Sequence, residues 1–265
     1  MSCSRSRRAN VKVDAILPAG GRISGSFAAE AGSEIKALIE IGGRTLIDHA
    51  IGALRATHEV DRIVVIGPED VAARDADMVL PEGETGPSNI YCGLDWLRES
   101  NSETKRVLIL TTDLPFVTSG AVTGFLDVCP KDADLCVPAI RREEFEGRYP
   151  GATSTYVKLR DGEWTLGCAF LVDAKAVAEN RAHIDRGFNA RKSQIAMARL
   201  LGPLVITRFL TRGLEIRHIE ERCRRILGCT GAAVLGCDPA LAFDIDELDD
   251  LQYARRRTLE GSTVH

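Results

Sequence analysis

The chain has 265 residues, with 34 Lys and Arg against 38 Asp and Glu for a formal charge of −4. Hydrophobic residues make up 45% and charged residues 27%, an ordinary globular balance in a chain long enough to bury a sizeable core. That excludes a disordered chain, a collagen-like repeat, a small disulfide scaffold and a polycation built to coat nucleic acid.

The opening MSCSRSRRAN carries Arg5, Arg7 and Arg8 with no apolar segment behind them, so residues 1–10 are expected to form a flexible basic tail rather than a secretory signal. Short apolar runs rich in β-branched residues predict strands at Val11–Leu17, Arg62–Ile66, Arg106–Leu110, Leu135–Pro138, Thr155–Leu159 and Cys168–Val172. Helical periodicity lies between the early strands. Thr45–Ala56 places Leu46, Ile47, Ala50, Ile51 and Leu54 on one face, Asn89–Glu99 does so with Ile90, Leu94 and Leu97, and Ser119–Val128 with Val122, Phe125 and Leu126. This alternation implies an α/β domain, a mostly parallel twisted sheet flanked by helices and joined by right-handed crossovers.

From Arg181 to Leu227 the pattern turns helical and basic. Eleven Lys and Arg stand there against four Asp and Glu, so the rest of the chain carries a net −11. This stretch is expected to be a helical insertion, either a solvated flank or a surface for an anionic ligand. Apolar Ala232–Leu235 and Leu241–Ile245 follow, then a last helix from Glu247. No repeat and no Pro-, Gly- or Ser-rich linker divides the chain, so a single domain over 11–256 is expected, with a tail at 257–265. No apolar run approaches the roughly 18 residues that cross a bilayer. The eight cysteines contain no C-x-x-C pair and read as small hydrophobes of a protein in the reducing cytoplasm. The five histidines are dispersed and suggest no metal site or catalytic triad.

The most informative segment is the first strand and its continuation, where Ile16-Leu17 leads into Ala19-Gly20-Gly21. Two glycines at a strand end permit positive φ and let backbone N–H groups converge on an anion. In an open parallel sheet this carboxyl edge is where ligands bind. The alternative is a plain turn. No Lys follows Gly25, so there is no Walker loop, and Gly20, Gly21 and Gly25 do not make G-x-G-x-x-G. A Rossmann oxidoreductase is therefore a rival of lesser weight.

The strand-plus-AGG start, EIKALIEIGGRTLIDHAI from Glu34 to Ile51, and TTDLP from Thr111 to Pro115 together resemble the molybdenum-cofactor guanylyltransferase type of nucleotidyltransferase, the MobA-like NTP transferases. FDIDELDDL, Phe243 to Leu251, is similar to that family's closing segment, so the resemblance spans nearly the whole chain. It implies the nucleotide-diphospho-sugar transferase fold, which is Rossmann-like and related to the glycosyltransferase-A fold. It also implies transfer of an NMP unit from an NTP to a small phosphorylated or hydroxylated acceptor, with Mg²⁺ as cofactor and pyrophosphate released. GTP is the donor in the guanylyltransferase reading. The alternatives are a sugar-phosphate or cofactor-precursor enzyme using CTP or UTP, and a catalytically silent nucleotide-binding protein. Neither nucleic acid nor membrane is an implied partner, and a monomer or homodimer is expected.

Residue by residue, the resemblance puts the nucleotide on Leu17, Ala19, Gly20, Gly21, Arg22 and Lys36. Lys36 would hold the β- and γ-phosphates, and Arg22 the leaving pyrophosphate. The family commonly carries G-x-x-x-R-M-G before its Lys, whereas here Arg22 directly follows the glycines. The loop Ser24–Gly32 lengthens the path to Lys36 and suits a mobile lid. Asp113, at the carboxyl edge of a central strand, is the first metal ligand; otherwise it caps the following helix. Asp244 is the preferred second ligand. Asp246 lies two residues on, and an extended backbone would turn both carboxylates to one side with Ile245 on the other. Asp246 could instead cap the last helix, with Asp249 and Asp250 in its first turn. Gly86, Ser88 and Asn89 fall where the family reads the base; Ser88 is also a candidate helix cap. The acceptor would meet Arg148 and Thr155, in a stretch that also holds Arg141, Arg142, Tyr149 and Thr153, and also Arg191 and Lys192. Each of these fits an ordinary surface cluster as well.

Overall fold

A strand buried on both faces needs a near-continuous apolar run, and Val13–Pro18 (β1) supplies one: every residue but Pro18 is buried. Its one charge, Asp14, is ion-paired to Arg62, Oδ2 lying 2.6 Å from Nη2. The computed structural model describes residues 12–71, 75–100, 105–190 and 193–262. The remaining strands are β2 (Glu40–Ile41), β3 (Arg44–Thr45), β4 (Val60–Gly67), β5 (Met78–Pro81), β6 (Arg106–Leu110), β7 (Leu135–Arg141), β8 (Val157–Leu159), β9 (Gly162–Leu166), β10 (Ala169–Asp173) and β11 (Gly231–Val234). Among the described residues nine strands form one sheet in the order β5-β4-β1-β6-β10-β7-β9-β8, with β11 also paired to β7. β5, β4, β1 and β6 run parallel. β10 enters antiparallel between β6 and β7, and β11 runs parallel to β7. The fold is thus α/β with a mostly parallel sheet, and the antiparallel strands lie at β9 and β10.

The helices are α1 (Gly25–Ala31), α2 (Leu46–Arg55), α3 (Gly86–Ser100), α4 (Ser119–Val128), α5 (Arg142–Arg148), α6 (Ala174–Glu179), α7 (Arg181–Ala190), α8 (Gln194–Leu201), α9 (Pro203–Leu210), α10 (Ile216–Leu227) and α11 (Leu248–Ser262). Alternation along the central strands divides the core. Ala15, Leu17, Leu108 and Leu110 pack with the apolar faces of α2 and α4, while Ile16, Val64, Ile66, Val107 and Ile109 pack with Leu94 and Leu97 of α3. α3 approaches so closely that a Cβ on Gly93 would sit 2.9 Å from Ile16 Cδ1 and 3.0 Å from Ile66 Cδ1. Gly93→Ala should therefore overpack this layer and cost about 1–3 kcal/mol, read as a melting temperature several degrees lower. An unchanged melting curve would refute this close packing.

Several elements escape the sequence patterns. β5 is short and alternately half-exposed, and β9 opens Gly-Glu, so neither carries a sustained apolar run. The basic stretch resolves into four helices, α7–α10, with α7 fastened to α3 where Tyr91 Oη donates to Asp185 Oδ1 at 2.9 Å. Leu241–Ile245 is a 3-10 turn at Pro239–Leu241 followed by extended chain, not a strand. The last helix runs to Ser262, through most of the residues expected to form a tail. The expected tail at 1–10 lies outside the described residues. The seven described cysteines are free thiols, and no helix among the described residues is long and apolar enough to cross a membrane.

β11 is held to β7 partly by Asp134, whose Oδ2 accepts from both the N–H and the hydroxyl of Thr230 at 2.7 Å. The Thr230 hydroxyl first, then its amide, hold this carboxyl below the usual carboxylate range. A depressed folded pKa adds stability that is complete above the unfolded value near about 3.9 and is lost as pH falls through the folded value. The melting-temperature gap between wild type and Asp134→Asn should therefore be widest near neutral pH and narrow on acidification. A gap independent of pH would exclude this contribution.

A candidate nucleotide and metal site

β1 and β6 lie side by side, Ile16 opposite Ile109, so the segments after them share the carboxyl edge of the sheet. After β1, Ala19 N donates to Ile66 O at 2.7 Å, which holds the chain to β4 before it turns at Gly20-Gly21. Neither glycine has a positive φ. The expected need for left-handed backbone is therefore replaced by close approach. A side chain on Gly20 would run into the Glu82 carboxylate, and a Cβ on Gly21 would lie 3.4 Å from Lys36 Cβ. Arg22 donates to Gly20 O at 2.8 Å and forms a two-pronged ion pair with Glu82 at the end of β5.

The long loop is not a free lid. Arg22 bridges Ile35, Ile23 N donates to Glu34 O at 3.0 Å and Lys36 N donates to Gly21 O at 2.9 Å, so both ends are zipped together. Between them lies α1, ended by Gly32 at φ 75° and tied to α11 by Arg255, which donates to Glu30 O at 3.1 Å. Ile23, Phe27 and Ile35 rest on the core, and apolar anchors of this kind are what a freely moving loop lacks.

This zipper places Lys36 in a 3-10 turn whose side chain points at the acidic residues. Its Nζ lies 2.6 Å from Asp113 Oδ2 and 2.6 Å from Asp246 Oδ1. Asp113 follows β6 closely, and its carbonyl accepts from Ile245 N at 3.0 Å, which fastens the closing segment to the TTDLP turn. Ile245 is fully buried. Asp113, Asp244 and Asp246 each offer an oxygen, and the three oxygens lie within 4.8 Å of one another. Asp246 does not cap α11. Asp250 does, its Oδ2 accepting from Asp246 N at 3.1 Å and Glu247 N at 2.9 Å, which leaves the Asp246 carboxylate for Lys36.

The electrostatics follow from three carboxylates around one ammonium. Burial alone would lower the Lys36 pKa, but the adjacent Asp113 charge and hydrogen bond, with those of Asp246, raise it above its ordinary value. Burial, then the charges of Asp113 and Asp246, push the Asp244 carboxyl up to about 7. Burial also opposes ionisation of Asp246, yet the Lys36 hydrogen bond prevails and holds it below the usual range. Asp113 Oδ1 is buried and has no hydrogen-bond partner. An excess of negative charge, an orphaned buried oxygen and an all-carboxylate donor set fit a hard divalent cation such as Mg²⁺, and no softer nitrogen or sulfur ligand is among them. Among the described residues this is the only such group.

Of the residues expected to meet the nucleotide, Leu17 is buried. The Asn89 side-chain oxygen accepts from Gly83 N at 2.6 Å. Ser88 is not the helix cap. Thr85 precedes α3, and its hydroxyl accepts from Ser88 N at 3.1 Å while Ser88 Oγ accepts from Thr85 N at 2.9 Å. Gly86 faces α7, where a Cβ would lie 3.2 Å from the Phe188 ring. The acceptor candidates do not converge. Arg148 lines a cavity with none of the three aspartates, and Thr155 is exposed. Arg141 stacks over Trp164 at 4.5 Å, Arg142 pairs with Glu146 and Glu163, and Thr153 donates to Asp250 at 3.0 Å. Arg191 and Lys192 lie outside the described residues. Sequence reasoning misses Glu82 and the capping role of Asp250. Two Glu beside glycines in PEGETG are the available signal for Glu82, but nothing local says that β5 ends opposite Gly20.

The family model of the MobA-like NTP transferase domain matches residues 15–235, so Asp244 and Asp246 lie beyond the matched segment. The 2-C-methyl-D-erythritol 4-phosphate cytidylyltransferase of Streptomyces coelicolor is 30% identical over 146 residues, 50% of this chain and 52% of that protein. Its Neisseria meningitidis serogroup A counterpart is 28% identical over 136 residues, 48% and 58%. The chain thus spans about half the length of the curated relatives it matches. Among solved structures, a hypothetical transferase from Thermus thermophilus superimposes with a TM-score of 0.81 at 30% identity, covering 91% of this chain and 99% of that one. The 2-C-methyl-D-erythritol 4-phosphate cytidylyltransferase from Thermus thermophilus shares the fold at a TM-score of 0.54 and 19% identity, covering 94% and 99%.

Proposed function

The chain belongs to the MobA-like NTP transferase domain family, and from that premise we propose that it is a metal-dependent nucleotidyltransferase. It moves an NMP unit from a nucleoside triphosphate to a small phosphorylated acceptor and releases pyrophosphate. The observation that carries the reading is Lys36, held between Asp113 and Asp246 with Asp244 beside them at the glycine-loop edge of the sheet. The curated relatives named above are cytidylyltransferases, which favours CTP as donor over the GTP of the guanylyltransferase reading.

A phosphate oxygen of the acceptor attacks the α-phosphorus, the bond to the bridging oxygen breaks, and the electron pair leaves on pyrophosphate. A phosphate acceptor brings a nucleophile already ionised, so no general base is needed. Asp113, Asp244 and Asp246 would hold a divalent cation, which would supply charge neutralisation at the phosphates. Lys36 orients two of those carboxylates and adds a point charge beside the triphosphate. Arg22, which pairs with Glu82 here, would exchange that partner for the departing pyrophosphate. The zipped 22–35 segment keeps Arg22 and Lys36 in fixed relation, which is the positioning such chemistry depends on.

Melting curves with CTP, GTP, ATP and UTP, each with and without Mg²⁺, test the donor. A ligand at 100 times its Kd adds about 2.7 kcal/mol, a rise of several degrees at this size. The expected result is a Mg²⁺-dependent rise with CTP. A rise with GTP alone would return the guanylyltransferase reading, and no rise with any triphosphate would sink the enzyme reading.

A further inference from the structure

A cavity of about 660 Å³ lies apart from the acidic site. Its walls include His49, Phe116, Thr118, Arg148, Tyr149 and Arg257, and neither Lys36 nor any of the three aspartates lines it. A second cavity of about 330 Å³ continues from it past Tyr253 and Arg256, sharing Arg257 and Glu260. Volumes of this order accommodate small organic molecules.

The charge on these walls is one-sided. Arg148, Arg256 and Arg257 converge on the two cavities, and none of the three has a carboxylate partner within ion-pair distance among the described residues. The next residue on α11, Arg255, does have one in Glu30. Glu260 is the single acid of the lining. The guanidiniums are held by other means: Arg148 lies 5.9 Å from the Tyr149 ring centroid, and Arg257 Nη2 donates to Arg148 O at 3.4 Å. The Phe116 and Tyr149 rings stack at 5.2 Å and form an apolar wall beside them. Unpaired guanidiniums grouped around a cavity are repulsive until an anion joins them, and their forked donors match a phosphate.

We propose that this cavity is a second ligand site, separate from the acidic cluster, that binds a small organic phosphate ester. The phosphate lies between Arg148 and Arg257, and the carbon skeleton rests on the Phe116–Tyr149 wall. Arg257 and Glu260 stand nine and twelve residues past Leu248 in α11, about 13 and 18 Å along the helix axis at 1.5 Å per residue. The site is nonetheless joined to the acidic cluster through packing. Pro115–Thr118 continues directly from Asp113, and Phe116 meets Phe243, the residue before Asp244, at 4.9 Å. A ligand here touches the segment that follows Asp113 and reaches the closing acidic segment only through the Phe116–Phe243 contact.

Isothermal titration of the full chain with ribose 5-phosphate, without Mg²⁺, tests the proposal. Wild type and Lys36→Ala should bind one equivalent with similar affinity, and Arg148→Gln/Arg257→Gln should bind at least tenfold more weakly. These are surface positions, and an unchanged melting temperature in the double variant confirms that it folds. Binding to the double variant within twofold of wild type, loss of binding in Lys36→Ala, or no binding to wild type would each overturn the site. The titration uses neither a triphosphate nor turnover, so it stands or falls separately from the transferase reading.

Discussion

Asp113→Ala should slow pyrophosphate release by about 10²- to 10³-fold, the loss usual when one preorganised electrostatic group is removed from a transition state, while the protein stays folded. Asp113 joins three parts of the site. One oxygen pairs with Lys36 at 2.6 Å, the other is buried without a hydrogen-bond partner, and the backbone carbonyl holds Ile245 N. The substitution removes both oxygens and keeps the backbone link. It also relieves repulsion, because Asp113 is the largest charged contributor to the raised Asp244 pKa. The melting temperature without metal should therefore hold within a few degrees, while the Mg²⁺-dependent rise with nucleotide shrinks. Asp113→Asn keeps the shape, removes the charge and should behave the same way. Steady-state pyrophosphate assays beside melting curves check this pattern. A variant that keeps its rate but loses stability would assign Asp113 a purely structural role.

Phe243→Ala should destabilise the fold by about 3–5 kcal/mol, the range for truncating a buried aromatic. At this chain length that is a fall in melting temperature of roughly 6–20 °C. Phe243 is only 2% exposed, and its ring meets Phe116 at 4.9 Å, Tyr149 at 5.0 Å, Tyr253 at 5.4 Å and Phe145 at 6.2 Å. Among the described residues no other single ring joins α5, α11 and the turn after β6. Because Asp244 follows it directly, the cavity left behind also frees the acidic segment. Weaker Mg²⁺-dependent nucleotide binding should accompany the thermal loss. Phe243→Leu refills part of the space and should recover much of both. A melting temperature within about 2 °C of wild type, far less than a truncated core ring costs, would mean that this cluster does not hold the site together.

Much of this molecule is legible in its amino-acid order because the informative patterns are local. The apolar runs of β1, β4, β6, β7 and β10 and the 3.6-residue stripes of α2 and α4 place those elements to within a few residues. Two carboxylates spaced as Asp244-Ile245-Asp246 face one side wherever the chain is extended. What periodicity cannot reach is contact between segments far apart in the chain. Lys36 meets Asp113 across 77 positions and Asp246 across 210. Both meetings depend on a sheet order in which β1 lies beside β6 and the closing segment returns along the same edge. The same holds for Glu82 against Arg22 and for the cavity between α2, α5, α11 and the turn after β6. Amino-acid order by itself determined the class of fold, the glycine turn and the acidic pair. Tertiary structure decided which glycine meets which side chain, that Asp250 rather than Asp246 caps α11, and that the long loop is zipped shut. Those outcomes turn on burial and charge balance among groups brought together only when the sheet closes, and no local pattern in the chain encodes that balance.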